Sequence, residues 1–127
     1  MSELTKQRPK FLDLTKIQLP LAAKMSILHR ISGGAIFLLL PCLIYLLQLS
    51  LGTPEEFETF LAITRHPVVK LIFLALTYGF VHHVCMGIRL LLIDIHKGVA
   101  RDTARASAKL VLVAGLVITA ILGVTLW

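Results

Sequence analysis

Apolar residues fill three long stretches of this chain, and polar residues gather between them. From Ile31 to Pro54 there is no charged side chain. A helix of that length, at about 1.5 Å per residue, crosses the roughly 30 Å hydrocarbon core of a bilayer. A first span is predicted over about residues 26–50. Ser26 is expected to be its N-cap, because its hydroxyl can accept from an unpaired N–H of the first turn. Pro41 falls mid-span and predicts a kink, which membrane helices tolerate when neighbours satisfy the freed carbonyl. A second span is predicted over about residues 67–95, with Lys70 snorkelling outward. A third covers about residues 110–127, with an earlier start left open, and ends on Trp127, an aromatic anchor for the far interface.

The segments between the spans have their own patterns. Residues 1–25 are polar and basic, with Pro9 and Pro20 bracketing Phe11, Leu12, Leu14, Ile17 and Leu19, and Leu21 just beyond. That mixture suits the membrane interface or a groove on a soluble partner. The segment is too long for the basic region of a signal peptide and no small-residue cleavage site follows, so it is expected to be retained. In the first connection, residues 51–66, Thr53, Pro54 and Glu56 read as cap, first helical residue and capping-box partner. Phe57, Phe60 and Leu61 then share one face, which predicts a short amphipathic helix on the membrane surface. The second connection, about residues 96–109, is basic. Within the third span Gly115, Thr119 and Gly123 form a small-residue stripe that permits close helix approach.

The expected fold class is therefore all-α: an integral membrane bundle of three transmembrane helices, one domain over residues 1–127. Composition strengthens this. Of the residues, 57% are hydrophobic and 16% charged, against roughly 25% charged in a soluble domain. A chain this short cannot bury so much apolar surface in its own core, so membrane lipid must cover the rest. The net charge of +6 raises nucleic acid as a partner, but the basic residues sit at the ends of apolar runs, where membrane topology places them, and no nucleic acid is expected. Six Lys and Arg precede or include Arg30, two (Arg65 and Lys70) lie in the first connection or just inside the second span, and five run from Arg89 to Lys109. The positive-inside rule then puts the N-terminus and the second connection on the cytoplasmic side and, with three spans, the C-terminus on the other. Cys42 and Cys85 lie in apolar stretches without a CxxC pair and read as small buried residues.

Ionisable side chains inside a span are costly and point to function. Ser26, His29, Arg30, Gly33 and Gly34 follow one another at helical spacing and are expected on one face near the cytoplasmic boundary. That face offers a hydroxyl, an imidazole, a guanidinium and then bare backbone. It suits a flat ligand with oxygen functions at its edge, since Arg carries permanent charge in a forked geometry. The plainer reading makes Arg30 a topological anchor and Ser26 a cap. In the second span His82 and His83 point about 100° apart and are not expected to face one site. His83 shares a face with Gly79, Met86, Gly87 and Leu90. Glycine a turn away on either side leaves a shallow groove for a porphyrin, whose iron histidine commonly binds. The alternative is a histidine hydrogen-bonded across helices with no metal. His83 precedes Asp94 by 11 residues, hence about 16 Å from that helix end. A haem there could extend its propionates toward His29 and Arg30, so the two clusters could serve one site or two adjacent ones. Asp94 is expected to pair with a cation rather than to carry protons.

Arg8-Pro9, Leu12-Asp13-Leu14, the string Ser26-Ile-Leu-His29-Arg30-Ile-Ser32-Gly33, and His83-x-x-x-Gly87-Ile88-Arg89 resemble, at this spacing, the cytochrome b membrane-anchor subunit of succinate dehydrogenase. The resemblance covers nearly the whole chain. It implies a subunit of respiratory complex II that pairs with a second hydrophobic anchor subunit to hold the flavoprotein and iron–sulfur subunits on the membrane. It implies haem b shared between the two anchors, with His83 as the axial ligand to the iron from this chain and His29 and Arg30 near the haem propionates. It implies ubiquinone as substrate, with Ser26 and Arg30 in the quinone site. There the Ser26 hydroxyl can donate to a quinone carbonyl while Arg30 stabilises negative charge developing on the quinone oxygens. His82 does not match the ligand position. Leu90 departs from related sequences, which can carry histidine there.

The resemblance does not make the chain catalytic alone, since it has neither a flavin-binding fingerprint nor a cysteine set for a cluster. A haem-free anchor of a related fumarate reductase is the first alternative, and the Ser-x-x-His-Arg string argues against it. A small transporter or channel would need a membrane-embedded acid or broken helices at mid-depth. All glutamates after Glu3 lie in the first connection.

Overall fold

The computed structural model describes residues 16–127. The interfacial role expected for Phe11, Leu12 and Leu14 lies outside the described residues. Four helices follow in order: α1 Leu21–Ser50, α2 Pro54–Arg65, α3 Pro67–Asp94 and α4 Arg101–Leu126. Helices α1, α3 and α4 are long and apolar enough to cross a membrane, and no strand occurs among the described residues. The all-α bundle with three membrane-length helices is thus the observed architecture.

Two helix boundaries differ from expectation. Helix α1 starts at Leu21, and its N-cap is Pro20, whose carbonyl accepts from the N–H groups of Ala23 and Lys24. The run Leu-Ala-Ala-Lys-Met has strong helix propensity, so Ser26 lies inside the first turns and is not a cap. Helix α4 starts at Arg101 rather than near Leu110. Asp102 in its first turn opposes the helix dipole favourably, and Ala104, Ala106 and Ala108 carry the helix onward. The second connection shrinks accordingly. It is closed by a tight C-terminal motif on α3: the His96 N–H donates to Ile93 O and the Lys97 N–H to Leu92 O, each at 2.9 Å. This is the Schellman pattern, and it puts His96 at φ 59°, a left-handed position that glycine usually takes.

Helix α1 continues unbroken through Pro41. Helix α2 is capped as its sequence predicts. Thr53 Oγ1 accepts from the Glu56 N–H at 3.3 Å, and Glu56 Oε2 accepts from the Thr53 N–H at 2.7 Å. Phe57 and Phe60 lie together on it, ring centroids 5.9 Å apart.

Helix α3 is central, packed against α1 on one side and α4 on another, while α1 and α4 also touch. The small-residue stripe of α4 meets α3 closely. A Cβ on Gly115 would lie 3.3 Å from Tyr78, and one on Gly123 3.0 Å from Leu74. Buried Met25, Met86, Ala108 and Val111 form a small core at the end that carries the α3–α4 connection. Elsewhere large apolar side chains point outward, Phe37 and Leu38 at 74% exposure each. A water-soluble monomer rarely shows such a surface. Lipid or other membrane chains cover it.

Candidate functional site

Where α1 crosses α3, both histidines of α3 reach for backbone carbonyls of α1. His82 Nε2 lies 3.3 Å from Met25 O, and His83 Nδ1 lies 3.0 Å from His29 O. Those carbonyls are one helical turn apart. The two imidazoles, though splayed by about 100°, thus grip successive turns of the same helix. The two rings thus face different carbonyls, and only their helix partner is shared.

The carbonyls fix the proton positions. A carbonyl oxygen only accepts, so each nitrogen facing one must carry the hydrogen. In neutral imidazoles His82 is protonated on Nε2 and bare on Nδ1. His83 is protonated on Nδ1 and bare on Nε2. The two bare nitrogens have different surroundings. His82 is fully buried, and its Nδ1 has no partner. His83 is only half-buried.

Three groups hold the His83 ring in place. The His29 ring stacks flat on it, centroids 4.1 Å apart and planes 9° from parallel. Ser32, itself buried, donates its hydroxyl to His29 O at 2.9 Å and places Oγ 3.3 Å from His83 Nδ1. Gly33 supplies bare backbone at the ring edge, where a Cβ would come within 2.8 Å of His83 Cε1. The sequence reading assigned the open space differently. Gly79 and Gly87 were expected to leave a groove flanking His83. Instead Ser32 Cβ lies 3.7 Å from where a Cβ of Gly79 would stand, and His29 Nε2 lies 3.6 Å from that of Gly87. Those glycines admit α1. On the α1 side, Gly34 has no neighbour within 4 Å of a built Cβ.

The five α1 residues expected on one face divide. His29 turns inward against His83, Ser26 and Gly33 are half-buried at the edge, and Arg30 and Gly34 are exposed. His29 therefore meets the candidate ligand imidazole, while Arg30 is the charged group presented outward. Arg89 belongs elsewhere. It is buried, and it donates from Nε to Ser107 Oγ and from Nη2 to Ala104 O, both at 3.0 Å, across to α4. Asp94 ends α3 in an exposed position.

The family described as the succinate dehydrogenase/fumarate reductase transmembrane subunit matches residues 4–122. The chain belongs to that family. It is 34% identical over 122 residues to the succinate dehydrogenase cytochrome b556 subunit of Coxiella burnetii, covering 95% of this chain and 98% of that relative. It is 30% identical over 122 residues to the subunit of the same name from Rickettsia typhi, covering 96% and 95%. Membership fits the three membrane-length helices and makes the chain a multi-pass membrane subunit.

Within this family member, sequence reasoning did not single out Ser32 or the carbonyls of Met25 and His29. The Ser32-Gly33 pair follows the His29-Arg30 string after a single residue, Ile31. Their task depends on how α1 docks against α3, and no local pattern carries that.

Proposed function

We propose that this chain is the haem-bearing membrane anchor of a succinate:ubiquinone oxidoreductase, working only within the complex. His83 Nε2 is the axial ligand from this chain. The observation that carries this is the contact of His83 Nδ1 with His29 O on a ring that, unlike that of His82, is only half-buried. An iron-binding histidine characteristically donates its other ring N–H to a carbonyl, which orients the ring and raises its basicity. His83 has that arrangement, with His29 O as acceptor and Ser32 beside it. Stacked His29 covers one face of the half-buried ring. His82, sealed in the interior, is the structural histidine of the pair.

Haem b, when bound, would accept and release single electrons between iron–sulfur centres and quinone. It would be shared with a second hydrophobic anchor subunit that supplies the other ligand. The chain's own residues bind and orient. His29 and Gly33 hold the ligand ring in plane. Arg30 is placed to meet negative groups, whether haem propionates or the oxygens of ubiquinone. Ser26 lies one turn before it, with a hydroxyl that donates to a quinone carbonyl. The end of the bundle with most Lys and Arg faces the cytoplasm and the flavoprotein and iron–sulfur subunits. There lipid-soluble quinone and water-borne protons can meet.

Removing this chain tests the whole reading. Succinate oxidation with an artificial dye should persist but move to the soluble fraction, and succinate-dependent quinone reduction should vanish from membranes. Quinone reduction surviving on the membrane would overturn the proposal.

Two substitutions probe the ring's surroundings. Gly33→Ala forces a methyl group against a His83 ring held by stacking and a hydrogen bond. Haem content of the purified complex is expected to fall about tenfold, the usual cost of disturbing a group that orients a metal ligand. Gly34→Ala, with open space around it, should retain full haem. His82→Leu loses the contact to Met25 O but also removes a buried unpartnered nitrogen. These effects oppose each other, so thermal unfolding should report a change of no more than about 1 kcal/mol, with haem intact.

A further inference from the structure

We infer that the cleft between the connected ends of α3 and α4 binds an anionic phospholipid. This rests on the membrane topology and is independent of the haem and quinone reading. The cleft measures about 490 Å³, and Cys85, Ile88 and Leu92 form its α3 wall. At 100° per residue these lie roughly half a turn around α3 from His83, so the cleft is separate from the site above.

Its lining changes character with depth. Lys97, Gly98 and Thr103 stand at the outer end. Arg89 and Ser107 come next, each about 8–9 Å inside its helix end at 1.5 Å per residue. Cys85 and Leu110 lie deeper still. Polar above and apolar below is the profile of a lipid, with the headgroup at the boundary and acyl chain within. The cleft also opens sideways through outward-facing Ile88 and Leu110, where hydrocarbon would surround the helix.

Charge selects the headgroup. Arg89 is 8% exposed. Its guanidinium donates to Ser107 Oγ, to Ala104 O and, at 3.8 Å, to Met86 Sδ, all of them neutral. A buried cation is costly unless an anion accompanies it, and neutral acceptors leave its charge uncompensated. A phosphodiester accepts paired N–H bonds from arginine, and Lys97 adds a second positive charge at the rim. Basic clefts between membrane helices near the surface bind anionic headgroups for these reasons.

The test titrates the whole detergent-purified complex with phosphatidylglycerol, with phosphatidylcholine of the same acyl chains, and with inorganic phosphate, reading bound species by native mass spectrometry. Wild type is expected to hold one more phosphatidylglycerol than Ile88→Trp, whose indole fills the cleft from an exposed position. Lys97→Gln should weaken that binding about fivefold, and Arg89→Gln at least as much. Equal retention of the two lipids would overturn the inference. So would wild-type binding in both Ile88→Trp and Lys97→Gln. Displacement of the lipid by inorganic phosphate at equal concentration would also overturn it, marking a free-anion site. The b-type spectrum of Ile88→Trp should match wild type, so failure here leaves the haem assignment standing.

Discussion

Arg30→Leu is expected to slow succinate-dependent quinone reduction by the complex about a hundredfold, while succinate oxidation with an artificial dye is unchanged. Arg30 presents its guanidinium at the outward edge of α1, one turn after half-buried Ser26. Quinone reduction builds negative charge on the carbonyl oxygens before protons arrive. A preplaced cation stabilises that charge more than it stabilises the neutral substrate, so its removal falls chiefly on kcat/KM. Losing one such donor in a water-poor site costs about a hundredfold or more. Arg30→Lys should recover part of the rate, since charge remains but the forked geometry is lost. Ser26→Ala removes one neutral hydrogen bond and should cost about tenfold. Steady-state assays with quinone and with dye separate these effects. Wild-type quinone reduction in both Arg30→Leu and Ser26→Ala would remove α1 from the quinone site.

The second large effect is expected from His83→Leu: haem retention weakened at least about a hundredfold, measured as haem per purified complex. Losing a group that merely orients a ligand costs about tenfold to a hundredfold at metal sites, and this substitution would remove the proposed ligand itself. Leucine also frees His29 O and Ser32 Oγ from their contact with Nδ1. The helices should nevertheless stay docked, because His82 still reaches Met25 O and the core of Met25, Met86, Ala108 and Val111 is untouched. Haem loss without loss of the membrane-bound complex is the expected pattern.

Much of the fold was legible because its signals are local or collective. The charge-free run from Ile31 to Pro54 marked α1, and Thr53-Pro54-Glu55-Glu56 specified the cap of α2 within four residues. Helix starts were less legible. Hydropathy finds the part of a helix that lipid buries, whereas α1 and α4 begin earlier, in Leu21–Met25 and Arg101–Lys109, where helix formers are mixed with charge. The candidate site's residues could be picked out by type and spacing, but their packing could not. Spacing brought His83, Gly79 and Gly87 to one face, and the natural reading was an open groove. Docking of α1 fills it with Ser32 and His29 and moves the exposed glycine backbone to α1. Likewise, Ser26, His29 and Arg30 share a face on a helical wheel. Only the direction from which α3 approaches decides that His29 turns in and Arg30 out.

The central claim is that His83, rather than its neighbour, holds the iron. The most direct measurement is a reduced-minus-oxidised visible spectrum of membranes containing the whole complex, for wild type, His83→Leu and His82→Leu. The account predicts a b-type haem signal in wild type and His82→Leu and its loss in His83→Leu alone. A full signal in His83→Leu would contradict it and leave this chain as an anchor with, at most, part of a quinone site.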